Sequence, residues 1–205
     1  MTELVLSDGA KTVVRKLTEK GYKAYAVGGC VRDLLRGRTP DDYDIATSAF
    51  PENVAEVFSA YDVIPTGLKH GTVTVIIDKI PYEITTFRKD GNYPDGRRPE
   101  KVEFVDDLKE DLSRRDFTVN AMAYNDDEGL IDPFGGEQDL KNKILRCVGD
   151  PEKRFTEDAL RILRAARFCS TLSLTAEEET ARKAVKLAYK LKNVSAERIF
   201  AEVNK

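Results

Sequence analysis

The hydrophobic pattern changes character part-way along this 205-residue chain, near Lys143. Up to that point short apolar runs alternate with Gly, Pro and Asp clusters, the pattern of strands and short helices joined by turns. Beyond it, TEDALRILRAARFCSTL, TAEEETARKAVKLAYKLK and SAERIFAEVNK are rich in Ala, Leu, Glu and Lys at helical spacing, with no strand signal. An α/β part over 1–143 followed by an all-helical segment over 144–205 is expected. Thr156 and Ser195 stand where they would cap helices of that segment. The last helix runs to Lys205 with no Gly or Pro exit, which suggests a portion of something longer.

Within the first part, Val13, Val14 and Leu17 predict an amphipathic helix over Ser7–Lys20, ended by Gly21. YKAYAV reads as a strand, CVRDLLRG as two helical turns stopped by Gly37, and DYDIATSA as a strand at its start. Pro51 opens the helix PENVAEVFSAY. GTVTVIID and YEITTFRK predict a hairpin joined through KIP, and DGNYPDGRRPE a loop. SRRDFTVNAMAYN is expected to be a helix, and GLIDPFGGEQDL a strand and a turn.

Composition narrows the function classes. With 33 basic and 36 acidic residues the net charge is -3, so no overall basic field marks a dedicated nucleic-acid binder, although local basic clusters are compatible with one. Cys30, Cys147 and Cys169 are widely spaced with no CxxC pair, which argues against a disulfide framework or zinc site and fits a reducing cytoplasm. His70 is the single histidine, excluding sites that need several. The N-terminus lacks the pattern of a signal peptide, and no apolar run approaches the ~18 residues of a membrane span. No feature marks an obligate protein partner.

Two short stretches carry chemistry. If Asp42-Tyr43-Asp44 is extended, Asp42 and Asp44 point to one face while Asp41 and Tyr43 point to the other. Paired carboxylates repel unless one is protonated or a cation lies between them, and magnesium takes such oxygen ligands while leaving positions for water and phosphate. Glu83, on the hairpin, could supply a third carboxylate. A solvated acidic loop is the plainer alternative. Gly28-Gly29 joins a strand to a helix, where absent side chains permit close backbone approach. The helix start offers N–H groups to phosphate, with Arg32 in its first turn. Either glycine taken singly is explained by a tight turn.

Taken together, VGGCVRDLL and DYDIATSA resemble the signature of polymerase-β-like nucleotidyltransferases, specifically the bacterial-type tRNA nucleotidyltransferases and poly(A) polymerases. The resemblance continues in order through PTGLKHGTVTV, YEITTFRKDGNYPDGRRP, RRDFTVNAMAY, DPFGG and EDALRILRAARF, covering roughly Ala24 to Phe168. It implies an α+β fold, with a catalytic head over 1–143 built on a small mixed sheet with flanking helices, a helical neck over 144–205 and further RNA-gripping helices beyond. It also implies that Asp42 and Asp44 hold catalytic Mg2+, that Gly29 and Arg32 contact a triphosphate beside Gly28, and that Arg115, with Asp116 and Asn120, positions sugar and phosphates. Arg164 and Arg167 are implied nucleotide contacts, with a solvated helix face as the alternative.

The EDALR stretch also has a physical reading. On a continuous helix Asp158 and Arg161, three apart, share a face. A carboxylate accepts and a guanidinium donates, so the pair matches the amino group and ring nitrogen that cytosine and adenine both present. Uracil and guanine present the opposite pattern, and such a buried mismatch discriminates by on the order of 10⁴-fold. An ordinary helix salt bridge is the alternative. The resemblance then implies transfer of C and A from CTP and ATP to the 3′ end of tRNA, with pyrophosphate released and Glu83 shaping the metal site or taking a proton. TGLKHGTVTV and the loop carrying Arg97 and Arg98, a segment able to move with specificity, look more like CCA-adding enzymes than poly(A) polymerases. An A-adding enzyme or poly(A) polymerase of the same family is one alternative. Others are a noncatalytic RNA-binding module that keeps the fold, and an enzyme that nucleotidylates small molecules or proteins.

Overall fold

The computed structural model of the chain describes residues 4–91 and 102–205. Ser7 caps α1 (Asp8–Glu19), its side chain accepting from the Ala10 amide, and Val13, Val14 and Leu17 are buried on one face as their spacing predicts. The chain continues through β1 (Ala24–Val27), α2 (Gly29–Leu35), β2 (Asp44–Thr47) and α3 (Pro51–Val57). β3 (Asp62–Gly67) has no counterpart in the sequence reading. It is an edge strand with no buried residue, so it lacks the apolar alternation that announces a strand.

β4 (Thr72–Ile77) and β5 (Ile80–Thr86) form the expected hairpin, but the turn sits on Asp78 and Lys79, both at positive φ, and Pro81 lies inside β5. β6 (Arg88–Asp90) pairs with β7 (Val102–Phe104). Arg97 and Arg98 lie outside the described residues.

The stretch expected to be a helix over 113–125 is not one. α4 (Leu108–Ser113) ends where it begins, a 3-10 turn covers Thr118–Asn120, and β8 (Ala123–Asn125) follows, pairing with β1 and with β9 (Gly129–Ile131). Phe117, Val119, Ala121, Met122 and Ala123 are all buried. A run buried on every side leaves no polar face to mark a period, and burial in the sheet centre decides the conformation.

Among the described residues, seven strands form one sheet in the order β3-β4-β5-β2-β1-β8-β9. The β2–β5 pair is parallel and every other neighbouring pair antiparallel. This is the mixed sheet expected.

α5 (Gly136–Lys141) closes the first part, a helix where GLIDPFGGEQDL predicts a strand and a turn. The later segment comprises β10 (Ile144–Leu145), α6 (Pro151–Glu157), α7 (Leu160–Leu172), β11 (Thr175–Ala176), α8 (Glu178–Leu187) and α9 (Ala196–Val203). It is helical except for the short parallel pair β10–β11, which two-residue runs do not announce in sequence. Asp150, not Thr156, caps α6, accepting from the Glu152 amide ahead of Pro151. Ser195 occupies the cap position of α9 without a side-chain cap bond. One core cluster joins Phe117 and Val119 to Leu145, Phe155, Phe168 and Leu187, so the helical part is seated on the sheet-bearing part by shared burial. Each such buried aromatic contributes about 1.5–3 kcal/mol.

Candidate active site

Tyr43 is buried and its hydroxyl accepts from the Ser7 amide at 3.3 Å, while Asp42 and Asp44 on either side face solvent. Asp41, expected on the face of Tyr43, is exposed as well, because β2 begins only at Asp44 and alternation does not extend to it. The parallel register sets Glu83 of β5 opposite Asp44 of β2. The protein walls around Asp44 push its carboxyl above the ordinary value of 3.8. Arg115 pulls it back down, and the like charges of Asp42 and Glu83 add to the rise. Among the described residues no three Asp, Glu, His or Cys side chains gather closely enough to hold a metal by themselves. The two carboxylates offer only oxygen donors, a donor type that suits a hard cation such as magnesium.

Gly28 stands at φ 76°, before α2, and donates its amide to the Met122 carbonyl at 3.1 Å. A Cβ there would lie 2.8 Å from Nη1 of Arg115, so the missing side chain makes room for that guanidinium. Gly29 has open space beside it apart from the Arg32 side chain. Arg115 reaches Asp111 at 3.4 Å, and its Nε is buried without a hydrogen-bond partner.

A polar network ties the sheet-bearing part to α7. Arg32 donates through Nη1 to Asn120 Oδ1 at 2.7 Å, and through Nε and Nη2 to Asp33. Asn120 donates to Asp116 Oδ1 at 3.1 Å. Asp116 takes Nε and Nη2 of Arg164 on Oδ2 at 2.8 and 2.7 Å. Burial alone would raise the Asp116 carboxyl, but Arg164 and the Asn120 amide outweigh it and hold it below 3.8. Arg167 pairs with Glu202 of α9 at 2.6 Å.

Asp158 and Arg161 do not form the expected pair on one continuous helix. The chain is extended at Asp158, φ -150° and ψ 107°, which breaks the run into α6 and α7. The Asp158 carboxylate accepts from the Leu160 amide at 3.0 Å and from both Nη atoms of Arg198 at 3.3 and 2.7 Å. Arg161 donates to Glu157 at 2.7 Å and to the carbonyls of Arg154 and Arg114. Both residues nonetheless line one open cleft of about 650 Å³, together with Asp42, Asp44 and the arginines Arg32, Arg164 and Arg167 of α2 and α7. Of the site residues expected from sequence that the structure describes, Glu83 is the one that does not line this cleft.

The profile of the poly A polymerase head domain family matches residues 24–146. The chain belongs to this family. A second profile, described as the probable RNA and SrmB-binding site of polymerase A, matches residues 173–205. A CCA-adding enzyme from Lactobacillus delbrueckii subsp. bulgaricus is 52% identical over 193 residues, which is 94% of this chain and 48% of that enzyme. The crystal structure of the Bacillus stearothermophilus CCA-adding enzyme in complex with CTP superposes with TM-score 0.86 at 46% identity, covering 95% of this chain and 46% of that one. A tRNA nucleotidyltransferase complexed with a primer tRNA and an incoming ATP analog superposes with TM-score 0.77 at 35% identity, over 94% of this chain and 55% of that one. The chain thus spans about half the length of the relatives it matches.

For a member of the head-domain family, the sequence reading passed over Arg198 and Phe168, which line the cleft, and Glu202, which anchors residues that do. Arg198 and Glu202, four apart on α9, complement Asp158 and the α7 arginines. The i,i+4 opposite charges of AERIFAE are a legible signal. Phe168, whose ring lies beneath the arginines, reads in sequence as an ordinary core position. Among the described residues no helix is long and apolar enough to cross a membrane.

Proposed function

We propose that the chain carries the nucleotidyl-transfer site of a CCA-adding enzyme. In this reading residues 1–143 are the catalytic head, and residues 144–205 a neck that reads the base. It adds C and A from CTP and ATP to the 3′ end of tRNA in the cytoplasm. The observation that carries the proposal is the one cleft that solvent-facing carboxylates and several guanidiniums line together. The relatives named as CCA-adding enzymes, one of them in complex with CTP, support the choice of substrate.

Asp42 and Asp44 would hold Mg2+, which when bound activates a hydroxyl nucleophile and screens charge on the attacking and leaving oxygens. The chain's own residues then have separate tasks. Arg32, Arg164 and Arg167 offer fixed donors to a triphosphate, and electrostatic stabilisation of this kind needs no rearrangement as charge develops. Gly28 keeps Arg115 close to the acidic wall, where it offsets the repulsion among Asp42, Asp44 and Glu83. Glu83, one strand away, tunes Asp44 rather than touching the nucleotide. Asp158 and Arg161, each already oriented by other partners, present an acceptor and a donor to the base edge. For Asp158 to accept from an amino group, Arg198 must share or release one carboxylate oxygen.

The test is incubation with tRNA lacking its 3′ end, magnesium and each labelled nucleoside triphosphate, singly and mixed. Addition of C and then A is expected. Long A tails would instead indicate a poly(A) polymerase. Nucleotide binding without incorporation, in a chain extended to the length of its relatives, would refute the enzymatic reading.

A further inference from the structure

Phe168 sits in α7 with 4% of its surface exposed, yet charged groups crowd one side of it. The guanidinium carbons of Arg167, Arg164 and Arg32 lie 4.2, 5.2 and 5.4 Å from its ring centroid. All three distances fall within the ~6 Å over which a ring attracts a cation. Phe117 meets the same ring edge-on at 5.8 Å and 87°, which fixes its tilt from the core side.

The three cations come from different places. Arg32 belongs to α2, beside the glycine turn, whereas Arg164 and Arg167 belong to α7. Their carboxylate anchors are Asp33, Asp116 and Glu202 respectively, and Glu202 also stands 3.8 Å from Arg164. These ion pairs, with Asn120 between Arg32 and Asp116, hold each guanidinium by its edge. The aromatic ring lies within cation–π range of all three. A leucine would fill similar space but has no negative π face to hold guanidiniums that repel one another.

We propose that Phe168 is a positioning residue of the nucleotide site. Its ring gathers Arg32, Arg164 and Arg167 into a single cationic cluster matched to a polyphosphate, so that the α2 donor and the two α7 donors engage one anion together. This inference rests on the nucleotide-binding reading above and adds to it the residue that aligns the phosphate donors.

Fluorinated phenylalanines at position 168 test it, because ring fluorination weakens the quadrupole while nearly preserving shape. Titration calorimetry with CTP, inorganic tripolyphosphate and cytidine, in the presence of Mg2+, is run beside thermal unfolding. Along the series from one to five fluorines, the Kd for CTP and for tripolyphosphate should rise by about 2- to 30-fold in total. The cytidine Kd should stay constant, and the unfolding midpoint should fall by only the few degrees that the weakened ring contacts imply. Phe168→Leu, which keeps an apolar side chain, should show the same selective loss of polyphosphate affinity.

An unchanged CTP Kd in the pentafluoro variant would overturn the proposal. So would an equal loss for cytidine, since that marks a general packing role. If the unsubstituted protein binds neither CTP nor tripolyphosphate, the nucleotide-site reading fails and this inference falls with it. A failure confined to the fluorinated series removes Phe168 alone.

Discussion

Asp116→Ala probes the joint between the sheet-bearing part and α7. The wild-type carboxylate is 7% exposed and receives two bonds from Arg164, one from Asn120 and one from the Phe117 amide. Removing one partner of a buried ion pair costs about 3–5 kcal/mol. Here the cost falls to about 2–3 kcal/mol, because the Arg164 side chain is 30% exposed and Glu202 remains 3.8 Å away as a second anion. The stranded Asn120 amide, buried at 6% exposure, adds about 1 kcal/mol. A total of about 3–4 kcal/mol corresponds to a midpoint lowered by about 6–16 °C for a chain of this size. Thermal unfolding at pH 7 followed by circular dichroism measures it. The cycle through Arg164→Ala and the double variant should give a coupling of about 1–3 kcal/mol. A midpoint shift under about 2 °C, or strict additivity in the cycle, would refute the assignment of Asp116 as the joint.

Other outcomes follow from the same geometry. Asp111 and Asp116 are both buried, which raises a carboxyl, yet Arg114 and Arg115 beside Asp111 and Arg164 beside Asp116 hold them below 3.8 in the folded state. Their stabilisation is therefore present above that value and is lost as pH falls through the lower folded values. Urea unfolding across pH 7 to 2 should show stability declining at the acid end, and declining less steeply in Asp116→Asn; stability that grows on acidification would contradict this. Gly28→Ala must hold a side chain at φ 76° with its Cβ 2.8 Å from Arg115 Nη1. It should lose about 1–2 kcal/mol and weaken CTP binding, and calorimetry finding wild-type affinity would count against the packing of Arg115 over that turn. Asp42→Ala should abolish nucleotide incorporation with the fold intact by circular dichroism, and retained incorporation would remove Asp42 from the metal site. Asp158→Ala should relax the choice among the four nucleoside triphosphates in single-nucleotide assays; unchanged selectivity would exclude it from base reading.

Most local elements were legible because their causes are local. Ser7, the Val13, Val14 and Leu17 stripe and the strand alternation around Tyr43 are settled by near neighbours in the chain. What escaped has no local signature. β3 is an exposed edge strand, β10 and β11 are two residues each, and the buried run through Met122 lacks a polar face to reveal its period. The helix expected to run through Asp158 stops there. Three-residue spacing implies a shared face only while the helix is continuous.

The sequence by itself determined that Asp42 and Asp44 turn outward around a buried Tyr43, while Asp41, ahead of β2, turns outward with them against the alternation. It also determined that a sheet-bearing part precedes a helical one, because hydrophobic period is written residue by residue. Only the tertiary structure decided which charge meets which. Asp158 is paired with Arg198 across 40 residues, and Arg164 with Asp116 across 48. Ion-pair choice depends on which long side chains packing brings within about 3 Å, and that distance is set by how α7 and α9 seat on the sheet through Phe117 and Phe168.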